Sequence, residues 1–226
     1  MRLELMYESF FKILEGVPLT LEVVFISTFL GFGLAIIVAL MRISDNKFYS
    51  VPAYSFIYVI RGTPLLLQLY FVYYGISQFS FVRESFLWPI LREPFWCGII
   101  TLTISTGAYS AEILRGGIQS VSQGYIESGK ALGLGRVSLF FRIVMPIAIR
   151  QALPAYGNEL ILMVKASSLI SIVTLMEITG IARTIISKTY APVEIFLVAG
   201  SIYLFINFVI TRLVKYSENR LSIPST

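Results

Sequence analysis

The sequence contains no histidine and a single cysteine, Cys97. The first absence removes imidazole general bases and histidine metal ligands. The second removes any internal disulfide and any cysteine metal cluster. Cys97 therefore reads as a small apolar residue in a helix. Charge is scarce as well: 14% of the 226 residues are Asp, Glu, Lys or Arg. No aspartate pair lies inside an apolar run, so the usual sets for intramembrane catalysis are missing. Catalytic and metal-ligating residues are accordingly expected to be none. No linker, low-complexity tract or internal repeat divides the chain, which reads as one domain over residues 1–226.

What the chain does have is apolar length. Hydrophobic residues make up 56%, and the mean hydropathy is +0.79. That is a membrane composition. A spanning helix needs ~20 mainly apolar residues, and five runs qualify: 17–41, 51–76, 94–116, 149–174 and 193–213. The first is too long for the apolar core of a cleavable signal. Residues 5–14 form a short amphipathic stretch, expected to lie at the lipid interface. The net charge of +5 is explained by orientation and needs no nucleic acid. One arrangement gathers Arg42, Lys47, Arg115, Lys130, Arg136, Arg142, Arg150, Arg212, Lys215 and Arg220 on one side, ten cations against six. The richer side is cytoplasmic by the positive-inside rule. The expectation is an all-α membrane protein with five spans, its N-terminus outside and its C-terminus cytoplasmic, set in lipid.

Between the third and fourth runs lies the polar stretch ESGKALGLGRVSLFFRIVMP, residues 127–146. It carries three cations against the single acid Glu127. Gly129, Gly133 and Gly135 interrupt it where a helix would otherwise continue. Ser128, Gly129 and Ala131 leave a surface that another protein can approach. The reading is a docking helix, a sharp turn at Gly133, and a second helix returning to the membrane. Gly124 to Lys130 mimics a phosphate-binding loop, but Ala131 stands where a Mg²⁺-binding hydroxyl is needed. Glu127 would face the phosphates, and no strand precedes. The chain is expected to bind no ATP, so energy must come from a partner.

The spacing Glu127-Ser128-Gly129, Gly133, then Ile143-x-Met145-Pro146 resembles the EAA loop of bacterial ABC importer permeases. Ser128 and Gly129 replace alanines, and Met145 a leucine. RGTPLLLQ from Arg61, AYSAEILRGGI from Ala108 and KASSL from Lys165 are similar to the polar amino acid branch of that family. The resemblance implies a type I importer permease fold and a cytoplasmic coupling loop at about 122–146. It implies a cytoplasmic ABC ATPase dimer, docked on Glu127, Ser128, Gly129, Ala131, Leu132, Gly133 and Arg136. It also implies a second permease chain, expected as a homodimer, and an extracytoplasmic amino acid binding protein. ATP and Mg²⁺ would sit on the ATPase, and no cofactor on this chain.

Charges inside the spans are the remaining signal, because each costs ~2.5–3.5 kcal/mol at mid-membrane on insertion scales. Arg61, Glu112 and Arg115 are read as satisfying one another. Glu22 and Lys165 fall at similar depth and form a candidate structural pair. Glu159 lies near the midplane at ~1.5 Å per residue, with Arg61 its one evident partner. Asn158 beside it offers a donor and an acceptor. Pro154 and Gly157 are expected to loosen the preceding turn and free carbonyls. A neutral substrate needs no extra charge on such a route, whereas a cationic one does. The expected function is ATP-driven uptake of a basic amino acid (arginine, lysine, histidine), with Glu159, Asn158, Glu22 and Arg61 as substrate contacts. The alternatives are a proton-coupled secondary carrier, and an importer of glutamine, glutamate or similar polar amino acids.

Overall fold

The computed structural model describes residues 2–221, and every regular element among them is helical. In chain order the α-helices are α1 (Leu3–Leu14), α2 (Val17–Ile43), α3 (Lys47–Gly62), α4 (Leu65–Tyr70), α5 (Ser80–Arg83), α6 (Trp88–Leu91), α7 (Pro94–Gln119), α8 (Gln123–Ala131), α9 (Arg136–Leu139), α10 (Met145–Ala166), α11 (Ile178–Thr189) and α12 (Pro192–Leu221), with short π or 3-10 turns continuing α4, α9 and α10. Four uninterrupted stretches are long and apolar enough to span: Val17–Ile43, Pro94–Gln119, Arg136–Val173 and Pro192–Arg220. Against the 149–174 and 193–213 expected, the fourth begins earlier, at Arg136, and the fifth runs on to Arg220. Cationic ends such as Lys215 and Arg220 continue the helix beyond its apolar part, which hydropathy alone does not reveal.

The second expected span is not one helix. α3 and the segment Leu65–Gln78 meet at 103°. Thr63 (ψ 144) and Pro64 (ψ 131) are extended between them. Pro64 excludes the helical conformation from the residue before it. The carbonyls this frees cannot be left bare in a bilayer. Gln68 closes them: its Nε2 donates to Ile60 O at 2.8 Å, Thr63 O at 3.1 Å and Thr63 Oγ1 at 2.9 Å. Asn46 caps the other end of α3, its Oδ1 accepting from Phe48 N at 2.9 Å.

The bundle is built around α2 lying along α7. Small residues set that distance: Ala35, Ala108 and Ala111 are fully buried, and a methyl added at Gly31 would strike Thr106 Cγ2. Lipid offers no hydrophobic drive between helices, so close van der Waals approach must hold them. A larger core joins Val23, Ile99, Leu102, Val164, Ile178 and Ile195. α1 docks on it through Ser9 and Ile13, both buried, with Tyr7 and Phe11 left outward. It is thus anchored by packing as well as by amphipathicity. Phe25, Phe29, Leu204 and Phe205 are exposed on α2 and α12, as suits lipid-facing positions.

Candidate functional site

The break between α3 and α4 opens a cavity of about 230 Å³ against α7 and α10. Its polar lining is Thr63, Gln68, Ser105, Tyr109 and Glu159. Glu159 is 6% exposed. The buried Thr106 hydroxyl stands beside it, off hydrogen-bonding geometry, and Arg61 lies at electrostatic range. Gln68 lies on the same wall. Its amide nitrogen is fixed by the three bonds at the helix break, and its Oε1 is buried with no hydrogen-bond partner. A buried carboxylate among uncharged polar side chains on one small cavity favours a cationic guest.

Tyr109 is shared with a neighbouring chamber of about 460 Å³, which also holds Arg42, Tyr54, Tyr58, Arg61, Glu112 and Arg115. The expected three-way satisfaction of Arg61, Glu112 and Arg115 is only partly right. Arg115 takes the whole carboxylate: Nε reaches Oε1 and Oε2 at 3.0 Å each, and Nη2 reaches Oε2 at 2.7 Å. Three residues apart on one helix, the two meet without bending the backbone. Arg61 instead lies over the Tyr109 ring, 5.0 Å from its centroid. It is exposed in this single chain. A cation with no carboxylate beside it cannot face hydrocarbon cheaply, so this surface fits an aqueous path.

Two other structural expectations fail, and the expected substrate contacts separate. Glu22 and Lys165 are both exposed and form no ion pair; similar depth placed them on different faces. Asn158 is exposed while Glu159 is buried, since adjacent helical residues point about 100° apart. Neither Glu22 nor Asn158 lines the cavity. α10 runs unbroken through Pro154, and Gly157 is a packing position where a methyl would hit Val214. Gln68, Thr63, Ser105 and Tyr109 were the residues sequence reasoning missed. Gln68 and Tyr109 sit inside RGTPLLLQ and AYSAEILRGGI, so the signal was there as unexplained polarity in a span.

A second buried acid is of another kind. Glu177 is fully buried at the N-cap of α11, where Oε1 accepts from Gly180 N at 2.9 Å. Tyr203 Oη donates to Oε2 at 2.6 Å and lies 3.0 Å from Thr179 Oγ1. Burial pushes the Glu177 carboxyl up, opposed by the hydrogen bonds from Tyr203 and Gly180. It closes α11 onto α12 and faces none of the cavities lined by Glu159 or Arg61.

The polar loop folds as helix, turn, helix. Gly133 has φ 77, a conformation that costs other residues but not glycine. Gly133 N reaches Lys130 O at 2.9 Å and Leu134 N reaches Gly129 O at 3.1 Å, the paired closure of a Schellman end. Glu127, Ser128, Ala131, Leu132 and Arg136 are exposed, with Leu132, Val137 and Tyr125 adding apolar surface at 81%, 71% and 58%. Gly129 is turned inward against Leu139 and Ile143. It serves the packing of the loop, and is corrected from the outward set.

Comparisons with known proteins agree with this architecture. Residues 31–223 match the family described as binding-protein-dependent transport system inner membrane component. The nopaline transport system permease protein NocM of Agrobacterium fabrum is 54% identical over 219 residues, 96% of this chain and 91% of that protein. The histidine/lysine/arginine/ornithine transport system permease protein HisM of Escherichia coli K12 is 38% identical over 206 residues, 91% of this chain and 87% of that protein. A crystal structure of an amino acid ABC transporter with histidines superposes with a TM-score of 0.83 at 34% identity, covering 92% of this chain and 94% of that one. The secondary-carrier alternative falls with these matches. Hydrolysis of ATP belongs to a separate subunit, so this chain is not itself an enzyme. The chain therefore belongs to the inner-membrane component family of binding-protein-dependent transport systems, as a multi-pass permease of an amino acid ABC importer.

Proposed function

We propose that the cargo is a basic amino acid of the arginine type, taken up by alternating access, with Glu159 reading its side-chain cation. The observation that carries this reading is buried Glu159, without an ion pair, on one small cavity with the uncharged polar side chains of Thr63, Gln68, Ser105 and Tyr109. A guanidinium or ammonium offers several donors to such acceptors, and charged hydrogen bonds contribute ~1.5–3 kcal/mol each. The relatives named for histidine, lysine, arginine and ornithine transport support it. So does the nopaline relative, nopaline being arginine whose α-nitrogen carries a dicarboxyalkyl group.

In this reading two copies of the chain enclose the path, with the N-terminus outside and the C-terminus cytoplasmic. A binding protein delivers the amino acid. A cytoplasmic ATPase dimer, holding ATP and Mg²⁺, grips the exposed face around Glu127, Ser128, Ala131, Leu132 and Arg136. The Gly133 turn fixes the angle at which that face is offered. The test is Glu159→Gln in the reconstituted importer, which keeps shape and removes charge. Arginine and lysine uptake should fall about ten- to a hundredfold, the loss of one charged hydrogen bond, with the complex still assembled. Full arginine uptake by that variant rules the assignment out.

A further inference from the structure

Two hollows lie end to end along α7, and one side chain stands between them. The Glu159 cavity meets α7 at Ser105 and Tyr109, and the larger chamber meets it at Tyr109, Glu112 and Arg115. The chamber is therefore nearer Gln119, the end from which the polar loop 122–146 leaves. Tyr109 is the one residue that lines both spaces. The α7 sequence leaves their separation to this ring. Between Ile104 and Glu112 it reads Ser, Thr, Gly, Ala, Tyr, Ser, Ala, so Tyr109 is the single large side chain in about two turns. Its neighbours Gly107 and Ala111 pack toward α2, against Leu34 and the cluster around Ala35. The ring is held loosely. Its hydroxyl bonds to nothing among the described residues, and its face is covered by the Arg61 guanidinium, 5.0 Å from the centroid. A cation–π contact places a ring without the directional lock of a hydrogen bond. A helical tyrosine has two accessible χ1 wells, so this one can turn aside. Arg61 also lies within electrostatic range of Glu159. A cation arriving on Glu159 offsets that attraction and loosens the brace.

We propose that Tyr109, braced by Arg61, is the barrier between the Glu159 cavity and the loop-side chamber, and that its ring turns aside to let the amino acid pass. The inference deepens the function proposed above and rests on it for what passes. An amino acid leaving Glu159 for the chamber crosses this ring, since no other lining side chain is common to the two spaces. Beyond the ring the chamber holds Arg42, Arg61 and Arg115 against Glu112. Arg115 already engages both oxygens of that carboxylate. A surplus of positive charge repels a cation. A basic amino acid that has crossed does not settle in the chamber, and one on the loop side is discouraged from returning. Glu159 collects the cation, Tyr109 holds it back, and the chamber clears it.

The test is the reach of a thiol reagent from the loop side. Cys97 is the only cysteine of the chain, so Cys97→Ser with Ser105→Cys leaves one thiol, placed on the cavity. Inside-out vesicles holding the permease–ATPase complex are treated with the cationic reagent 2-(trimethylammonium)ethyl methanethiosulfonate, and labelling of the permease is timed by mass. Co-purification of the ATPase shows that each variant is assembled. Adding Tyr109→Ala should speed labelling about tenfold or more, because the constriction is gone. Tyr109→Phe should leave the rate unchanged, because it keeps the ring. Arg61→Gln should speed it about two- to fivefold, the loss of one cation–π contact. Tyr109→Leu, which keeps apolar bulk without the ring's reach, gives the same comparison if Tyr109→Ala does not assemble. Equal rates with and without the ring in assembled complexes overturn the proposal, and so does fast labelling in Tyr109→Phe. Arginine should protect the thiol in Tyr109→Ala. Ring-dependent labelling that arginine does not slow supports the barrier and overturns the cargo reading instead.

Discussion

Glu159 and Glu177 are both buried glutamates in a chain with few acids, and they are opposites. Glu177 is closed on every side: a helix N-terminus supplies Gly180 N, and α12 supplies Tyr203. Its charge is spent on joining α11 to α12. Glu159 has no hydrogen bond of sound geometry and opens on a cavity lined also by Gln68, Ser105 and Tyr109. Burial therefore does not separate structural from functional acids here. Satisfaction does. A fold gains nothing from an acid it leaves bare, since desolvation is a cost that only a partner offsets. A bare one signals a partner that arrives from outside.

The sharpest break between the two should come from removing each. Glu177→Ala strips the acceptor from Gly180 N and Tyr203 Oη, and should destabilise the permease by about 2–4 kcal/mol. Low yield and a thermal midpoint several degrees down in detergent would show it. Glu159→Leu should leave that midpoint unchanged or raise it, because no protein partner is orphaned. Equal losses in the two variants would erase the distinction.

Gln68 combines both conditions in one side chain, with its nitrogen paired and its oxygen bare. Gln68→Ala should cost about 1–3 kcal/mol by exposing the carbonyls of Ile60 and Thr63 at the break. Gln68→Glu keeps the acceptors but loses the donors, so it should unfold nearly as easily while still binding a cation. Thermal midpoints and arginine binding in the same samples separate the two halves. A smaller effect of the same type is expected in the loop, where Gly129 serves inward packing and Gly133 sets the outward turn. Gly133→Val forces a β-branched residue to φ 77, a strain of about 1–3 kcal/mol. The chain should still insert but recover less ATPase on co-purification.

Much of this was legible in the residues. Apolar runs announced the spans, and the glycine spacing announced the turn at Gly133. Glu159 could be singled out because a mid-membrane charge is too costly to be incidental. What escaped was direction. Pro64 marks a break, but its 103° angle follows from how α4 packs and from Gln68 reaching back to Ile60 O. Depth along a helix can be counted, whereas the face a residue presents depends on its neighbours. That is why Asn158 and Glu22 were grouped with Glu159 and the structure parts them. Arg61 was matched to Glu112 by scarcity of partners, and Arg115, three residues from Glu112 on the same helix, was simply nearer.

The account stands or falls on what Glu159 reads, and a pair of near-isosteric substrates asks that directly. Arginine and citrulline differ chiefly in a guanidinium against a neutral urea. Their uptake ratio should be measured in proteoliposomes for wild type and Glu159→Gln with the same binding protein, whose own preference cancels between the two. Wild type should favour arginine, and Glu159→Gln should shrink that preference about tenfold or more, as expected for one lost charged hydrogen bond. A preference that survives the substitution intact would contradict the claim that Glu159 is the residue that recognises the cation.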